Sequence, residues 1–354
     1  MNKKIPVAVL GSTGSVGQRF VQLVADHPWF ELVAVTGSQY RVGKAYAETC
    51  HWILTDPMPE CVRDMPVVAT APEAMEAALA FSALPSGVAR DIEPKFAQAG
   101  FGVCTNAGAY RREPDVPILL PEVNPDHIGL IDRQRGERGW TGFIATNPNC
   151  TSTGMTIALK ALQDAFGLDT VMAVSLQATS GAGYPGVPSL DILDNVIPFI
   201  SGEEEKVEWE PRKMLGTLKG DQIELADFRI SAHTNRVAVS DGHVLCLTVK
   251  LRRRATPEEA RAALASYQAP EVCRDLPYAP QPAIAVREEP SRPQPRLDRM
   301  TGRGMTTVVG RVREDTVFDL RLVVLSHNTI RGAAGGSLFN AELLVKQGYL
   351  GSEI

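Results

Sequence analysis

Ile5-Pro6-Val7-Ala8-Val9-Leu10 runs directly into Gly11-Ser12-Thr13-Gly14-Ser15-Val16-Gly17, and the reading of this stretch decides the fold class of the 354-residue chain. The first six residues are an apolar run of buried-strand length, and Val21, Leu23, Val24 and His27 continue after the glycines with helical spacing. Between strand and helix lies GxxGxxG rather than the more familiar GxGxxG. The physics is similar: glycines let the backbone turn tightly and approach a pyrophosphate, whose charge meets the helix N-terminus. Its position after the first strand and before the first helix points to dinucleotide binding, with Gly11, Thr13, Gly14, Ser15 and Val16 as contacts.

Outward from this motif, Glu31 to Thr36 reads as a second strand, whose end should meet the adenine ribose. An NAD-preferring site usually carries a carboxylate there. The chain instead continues Gly37-Ser38-Gln39-Tyr40-Arg41-Val42-Gly43-Lys44, without an acid and with two cations, a pattern suited to a 2′-phosphate and hence to NADP. Ala77 to Leu84 ends at Pro85-Ser86-Gly87 before a helix over 88–99, so Ser86 and Gly87 are further cofactor candidates at a strand's carboxyl end. Phe101 to Thr105 is another strand, followed by a loop carrying Arg111 and Arg112, and Asp126 to Gly139 reads as a polar connection. Alternating strands and helices of this kind build a parallel, doubly wound sheet.

A second signal is Asn147-Pro148-Asn149-Cys150-Thr151-Ser152-Thr153-Gly154, between the strand Phe143-Ile144-Ala145 and a helical pattern from Met155 to Phe166. A thiol at a strand-to-helix junction faces unpaired amides and the positive end of the helix dipole, which favour the thiolate and stabilise an oxyanion. Beyond it come the strand 168–179 with a glycine-rich end, the charge run Glu203-Glu204-Glu205-Lys206, and an Asp241-Gly242 turn. That run, taken alone, reads as a solvated helix face. The turn leaves His243 at the mouth of the strand Val244 to Leu251 rather than inside a core. Thr256-Pro257-Glu258-Glu259 starts a capped helix, residues 268–299 are proline-rich and irregular, and 306–312 and 318–325 are the last strands. Small residues at 332–336 open a final helix and permit close packing, plausibly on the cofactor.

Composition is that of an ordinary soluble protein, with 44% apolar and 22% charged residues. A net charge of −5 gives no reason to expect nucleic acid or an anionic membrane as partner. Six cysteines without a CxxC indicate neither a disulfide framework nor a zinc site. Lys3 and Lys4 precede too short an apolar run for a signal peptide, and no stretch has transmembrane length, so a cytoplasmic protein is expected.

GSTGSVGQRF, NPNCTSTG, QATSGAGYPG, GEEEKVEWEPRKMLG, NRVAVSDGH and NTIRGAAGGSLFNAELL, in this order and covering nearly the whole chain, resemble the aspartate-semialdehyde dehydrogenase family, and its archaeal and fungal branch most closely. The resemblance implies an α/β subunit with a Rossmann-type dinucleotide-binding domain (1–149), an α/β (α+β) catalytic and dimerisation domain (150–327), and a C-terminal segment (328–354) packing back on the first. It implies reduction of β-aspartyl phosphate by NADPH to aspartate semialdehyde and phosphate, on the route to lysine, methionine and threonine, in a homodimer or homotetramer without a metal. Position by position, Cys150 matches the nucleophile, His243 the acid/base residue and Gln177 the glutamine near the thiol. Arg236 matches the grip on the α-carboxylate, and Glu203 the acid facing the amino group, with the register of Glu203–Glu205 left open. Lys206 with Arg111 matches the pair that holds phosphate. Thr13 to Val16, Ser38, Ser86, Gly87, Gly181 and Asn328 fall where cofactor contacts lie, near Arg41. Two other readings stand beside this one: a malonyl-CoA reductase on the same scaffold, and a catalytically silent NADP-binding regulator.

The acid-free turn after the second strand makes NADP the better cofactor. Replacing Ser38 by aspartate puts a carboxylate beside the 2′ position, and the ratio of kcat/KM for NADP and NAD then moves toward NAD. Equal kcat/KM for both cofactors in the unsubstituted protein would contradict this reading of the turn.

Overall fold

A computed structural model describes residues 4–351. Lys3, at the head of the run weighed above as a leader, and residues 352–354 of the expected C-terminal segment lie outside them. The first sheet contains β1 (Ile5–Leu10), β2 (Phe30–Thr36), β3 (Val67–Val68), β4 (Leu79–Ser82), β5 (Gly102–Thr105) and β6 (Phe143–Thr146), all parallel, in the order β3-β2-β1-β4-β5-β6. This is the dinucleotide-binding order, in which the order of successive strands reverses beside β1 and leaves a crevice at the strands' carboxyl ends. Along β1 the side chains alternate: Val7 and Val9 join one apolar cluster with Phe20, Phe30 and Phe81, while Leu10 joins another with Phe96 and Ile144. The helices α1 (Ser15–Ala25), α2 (Ser86–Gln98) and α3 (Leu130–Arg138) supply the covering layers.

The helix α3 replaces the polar connection expected over 126–139. Three arginines and two acids in nine residues give it little apolar period, but Leu130 and Ile131 are buried and Gln134 donates to the carbonyls of Asp115 and Ile144. Tertiary anchoring outweighs weak amphipathicity here.

The helix α4 (Cys150–Phe166) leads into the second sheet. Its strands are β7 (Leu168–Gln177), β10 (Arg229–Arg236), β11 (His243–Leu251), β12 (Ile284–Arg287), β13 (Thr307–Glu314) and β14 (Leu320–Ser326), in the order β10-β7-β11-β14-β13-β12 with mixed directions. A small ribbon of β8 (Thr217–Lys219) and β9 (Gln222–Glu224) stands apart. The edge strand β12 lies inside the stretch expected to be irregular; at four residues between prolines it carries too short a pattern to be read. One face of this sheet is covered by α4, α5 (Glu203–Met214) and α6 (Pro257–Ala265), the last opening with the expected capping box from Thr256 and Glu259. On the other face Met172, Val174 and Cys246 are exposed.

The last helix, α7 (Gly335–Lys346), returns to the first sheet, where Leu338, Phe339, Leu343 and Leu344 share the cluster of Val7 and Phe20. No helix among the described residues is long and apolar enough to cross a membrane.

A buried ion pair pins the seam between the two cores. Ile118 and Leu120 belong to the second core and Leu119 to the first, so the segment after β5 is shared by both. From its end Glu122 accepts from Arg331 Nε at 3.1 Å and from Nη2 as well, with both side chains wholly inaccessible. Removing one partner strands the other charge, so Arg331→Leu lowers stability by about 3–5 kcal/mol. The double replacement of Glu122 by glutamine and Arg331 by methionine recovers most of that loss. Urea denaturation checks both, and a loss below about 1 kcal/mol for the single variant would contradict the role assigned to the pair.

Candidate active site

The turn 147–149 between β6 and α4 sets Cys150 as the first residue of α4. Asn149 is the N-cap, and its Oδ1 accepts from Thr151 N–H at 2.9 Å and Ser152 N–H at 3.1 Å. The junction is therefore the one expected, but these amides are not unpaired as the sequence reading supposed. The cap consumes them.

His243 heads β11 and places Nε2 3.3 Å from Cys150 Sγ. Contrary to expectation it is not at an open strand mouth: it has no accessible surface. The loop after β7 folds over it, and Ala178 N–H donates to His243 Nδ1 at 3.1 Å. A backbone N–H can only donate, so Nδ1 is the accepting nitrogen and the neutral ring carries its proton on Nε2, toward sulfur. Burial pushes His243 down to about 3, and burial together with Glu203 pushes the Cys150 thiol up to about 12, against the pull of Arg111 and Arg236. The pair is neutral, and the thiolate expected from the helix N-terminus is not its resting form.

The charge run is no solvated face. On α5, Glu203, Val207, Glu210 and Met214 are buried on one helical stripe. Glu203 Oε1 accepts from Asn149 Nδ2 (2.9 Å), Thr151 Oγ1 (3.1 Å) and Gln177 Nε2 (3.2 Å), and Oε2 lies 3.3 Å from Lys206 Nζ. Burial opposes ionisation of Glu203, but Lys206 and the Asn149 hydrogen bond outweigh it and hold the carboxyl below its usual range. Glu204 and Glu208 accept from the backbone N–H groups of Thr234 and Ala232, blunting the free edge of β10. Register is thus resolved: of the three glutamates, Glu203 faces Cys150.

Glu210 is a residue that the sequence reading passed over. Its Oε1 lies 2.9 Å from Arg111 Nη1, and its Oε2 accepts from Asn149 N–H at 2.6 Å. Its position seven residues after Glu203, two helical turns on, was the signal available. Arg111 further donates from Nε to Asn147 O (3.0 Å) and from Nη2 to Asn106 O (2.8 Å), leaving one N–H on each terminal nitrogen. Arg236, at the end of β10, donates only Nη1 to Ala178 O (2.8 Å), so its guanidinium fork stays largely open.

These groups line one cavity of about 430 Å³ holding Cys150, Gln177, Glu203 and Lys206 between Arg111 and Arg236. Gly181 borders it, and a Cβ there would sit 2.8 Å from Arg236 Nη1 and 3.1 Å from His243 Cε1. The small residues around the start of α7 pack on the turn that carries Cys150, and Gly332 and Ala333 also line the cavity: a Cβ on Gly332 would lie 2.8 Å from Cys150 Cβ, and one on Gly336 would lie 2.7 Å from Asn147 Oδ1.

The residues expected at a dinucleotide gather at the carboxyl edge of the first sheet. Gly11 turns with φ +71°, and a Cβ on Gly17 would stand 2.2 Å from Gly11 O, so α1 closes on the turn only with glycine there. Gly14 is the N-cap of α1, no side chain caps it, and Thr13, Ser15 and Val16 flank it. The cradle and the uncapped helix start fit a pyrophosphate. A second cavity, about 380 Å³, is lined by Ser15, Ser240 and Asp241 and shares Ser180 with the first. Ser38 lies exposed after β2, and Arg41 donates to Thr49 O. Ser86 lines the catalytic cavity and accepts from Gly108 N–H at 3.1 Å, whereas Gly87 faces open space. Asn328 spends its amide on Gly242 N–H and Ser180 Oγ, both at 2.8 Å, and so borders the cavity as a structural tie.

Comparison with known proteins agrees with this geometry. Residues 6–131 match the family description "Semialdehyde dehydrogenase, NAD binding domain" and residues 159–331 "Semialdehyde dehydrogenase, dimerisation domain". The chain is 54% identical to the aspartate-semialdehyde dehydrogenase of Archaeoglobus fulgidus, over 96% of this chain and 98% of that one. It is 46% identical to the Schizosaccharomyces pombe enzyme of the same name, over 97% and 99%. The crystal structure of the Candida albicans aspartate-semialdehyde dehydrogenase with NADP superposes with a TM-score of 0.89 at 40% identity, covering 98% of this chain and 99% of that one. The chain belongs to the aspartate-semialdehyde dehydrogenase family.

Proposed function

We propose that this chain catalyses the NADPH-dependent reduction of β-aspartyl phosphate to aspartate semialdehyde and phosphate through a thioester on Cys150. The observation that carries this reading is the Sγ–Nε2 contact of 3.3 Å between Cys150 and His243 beside a cavity that Cys150 lines together with Arg111 and Arg236. Two separated cations match a substrate with an anion at each end, a carboxylate and a phosphate.

Arg236, with most of its fork free, clamps the α-carboxylate bidentately. Glu203 takes the substrate ammonium at Oε2, sharing it with Lys206, whose partly exposed side chain is free to turn to the phosphate. Neutralising Glu203 removes one of the two influences that hold the thiol up, so substrate binding itself favours the attacking thiolate. Sulfur then attacks the acyl carbonyl, the carbonyl carbon–oxygen bond to phosphate breaks, the thiol proton leaves with the phosphate as hydrogen phosphate to Arg111 and Lys206, and the thioester remains. NADPH, when bound, supplies the hydride that takes the acyl group to the aldehyde level. Nε2–H of His243 steadies the departing sulfur, and full proton transfer onto the ring requires Nδ1 to release Ala178 N–H. Gln177 holds Glu203 in place beneath the thiol.

For the cofactor, Gly11 to Val16 cradle the pyrophosphate and Ser38 with Arg41 lie toward the ribose 2′-phosphate. Residues 1–149 with α7 form the cofactor domain, and 150–327 the catalytic and dimerising domain. The open face of the second sheet, with Met172 and Val174 exposed, supports association into a homodimer or homotetramer. A cytoplasmic location suits the six free cysteines.

The decisive assay is phosphate-dependent oxidation of aspartate semialdehyde with NADP. Cys150→Ala abolishes it, by about 10⁴-fold or more, while NADP binding persists. Arg236→Lys loses most activity in either direction. Arg111→Leu, combined with Glu210→Gln so that no buried carboxylate is orphaned, weakens phosphate use but keeps the NADPH burst from semialdehyde and NADP without phosphate. A burst suppressed as strongly in that double variant as in Arg236→Lys would overturn the division of labour between the arginines.

A further inference from the structure

Arg111 and Lys206 have a second side. Together with Gly108 they line the catalytic cavity and also a separate one of about 280 Å³ that opens beside it. The outer wall of this second cavity carries Arg90 and Arg112, both exposed. Arg112 lies over the Trp209 ring at 4.7 Å, and Arg90 is oriented by a 3.2 Å hydrogen bond from Nη2 to Ala109 O. Of the acids nearby, Glu210 is spent on Arg111 and Glu113 faces Arg138, which leaves exposed Glu205 as the opposing charge. Four cations thus outnumber the three carboxylates of the lining, two of which are already paired, and two of the cations are the side chains assigned to phosphate.

We infer that this cavity is an anteroom for inorganic phosphate, in which Arg90 and Arg112 capture the dianion and pass it to Arg111 and Lys206. The inference rests on the assignment of Arg111 and Lys206 under the proposed function. It answers a steric demand of that chemistry. In the oxidative direction phosphate must reach the thioester, and the reduced cofactor, when bound against Gly181 as the resemblance implies, would cover that side of the catalytic cavity. A phosphate oxygen then bonds to the acyl carbon, the C–S bond breaks, and sulfur leaves as the thiolate. The same passage serves phosphate departing in the reductive direction. Surface arginines along a recess raise the local anion concentration without holding the ion tightly, since water screens them. Neither Arg90 nor Arg112 touches the reacting groups.

The test is steady-state oxidation of aspartate semialdehyde by the full-length protein with NADP, varying inorganic phosphate. Arg90→Glu and Arg112→Glu are compared with Arg254→Glu, a distant exposed site with the same change of charge. The anteroom requires the KM for phosphate to rise about five- to tenfold in the first two, with the KM values for semialdehyde and NADP and the phosphate-free NADPH burst unchanged. The milder Arg112→Gln covers the case in which charge reversal beside Trp209 unsettles the fold, and it raises the phosphate KM by a smaller factor. A phosphate KM equal to that of Arg254→Glu, or a rise shared equally by all three substrates, overturns the anteroom. Absence of a burst in the unsubstituted protein would instead overturn the thioester assignment beneath it.

Discussion

The carboxylate of Glu210 is the fixed point of the active site. One oxygen holds Arg111 at 2.9 Å and the other receives the N–H of Asn149, so a single buried side chain joins helix α5, the loop after β5 and the turn that presents Cys150. Burial raises its proton affinity and Arg111 opposes the rise, so the carboxylate and the guanidinium each make the other's burial tolerable. Lys213, one turn further, adds a second tie by donating to the carbonyls of Arg111, Glu113 and Val116. The helix that looks like a soluble charged surface is thus a rigid bracket between the two sheets.

That rigidity explains why the reactive thiol is held neutral. The N-cap Asn149, itself clamped by Glu203 and Glu210, withdraws the first amides of α4 from the sulfur and assigns them to structure. A permanently ionised cysteine would be exposed to oxidation, whereas this thiol is held up by burial first and by the Glu203 carboxylate second, so neutralising the carboxylate eases its ionisation. Two cationic side chains, Arg111 and Arg236, line the same cavity. The electrostatics of the site is therefore completed by the ligand.

Most of the first sheet was legible in the sequence because its signals are local. GxxGxxG between a strand and a helix has one physical meaning in context, and short apolar runs ending in small residues located β4 and β5. The turn that presents Cys150 was legible for a related reason, since Asn-Pro-Asn before a helical pattern is turn chemistry. What escaped was determined at long range. The helix α3 is anchored by Gln134 to carbonyls ten and nineteen residues away. His243 lies at its predicted strand start, yet it is buried by the loop from Ala178, sixty-five residues earlier. The run at 203–206 reads as solvated surface only when taken alone, and the resemblance is what gives Glu203 and Lys206 a role; the stripe of Glu203, Val207, Glu210 and Met214 is visible in the letters, but acids on a buried stripe gain meaning only once their partners are known.

The chain's last segment closes the argument. After β14 it must pass beneath Cys150 to deliver α7 to the first sheet, and the passage is so narrow that Gly332 lies against the Cys150 backbone and side chain while Arg331 reaches Glu122. Leu338, Phe339, Leu343 and Leu344 then complete the core under β1, the strand that begins the dinucleotide cradle. Catalytic turn and cofactor cradle are therefore coupled through one stretch of some fifteen residues, from Arg331 to Lys346. A side chain larger than glycine at 332 would displace either the sulfur or the helix. The small-residue run thus serves the protein's own packing at Gly332 and Gly336, while Gly332 and Ala333 also border the open cavity.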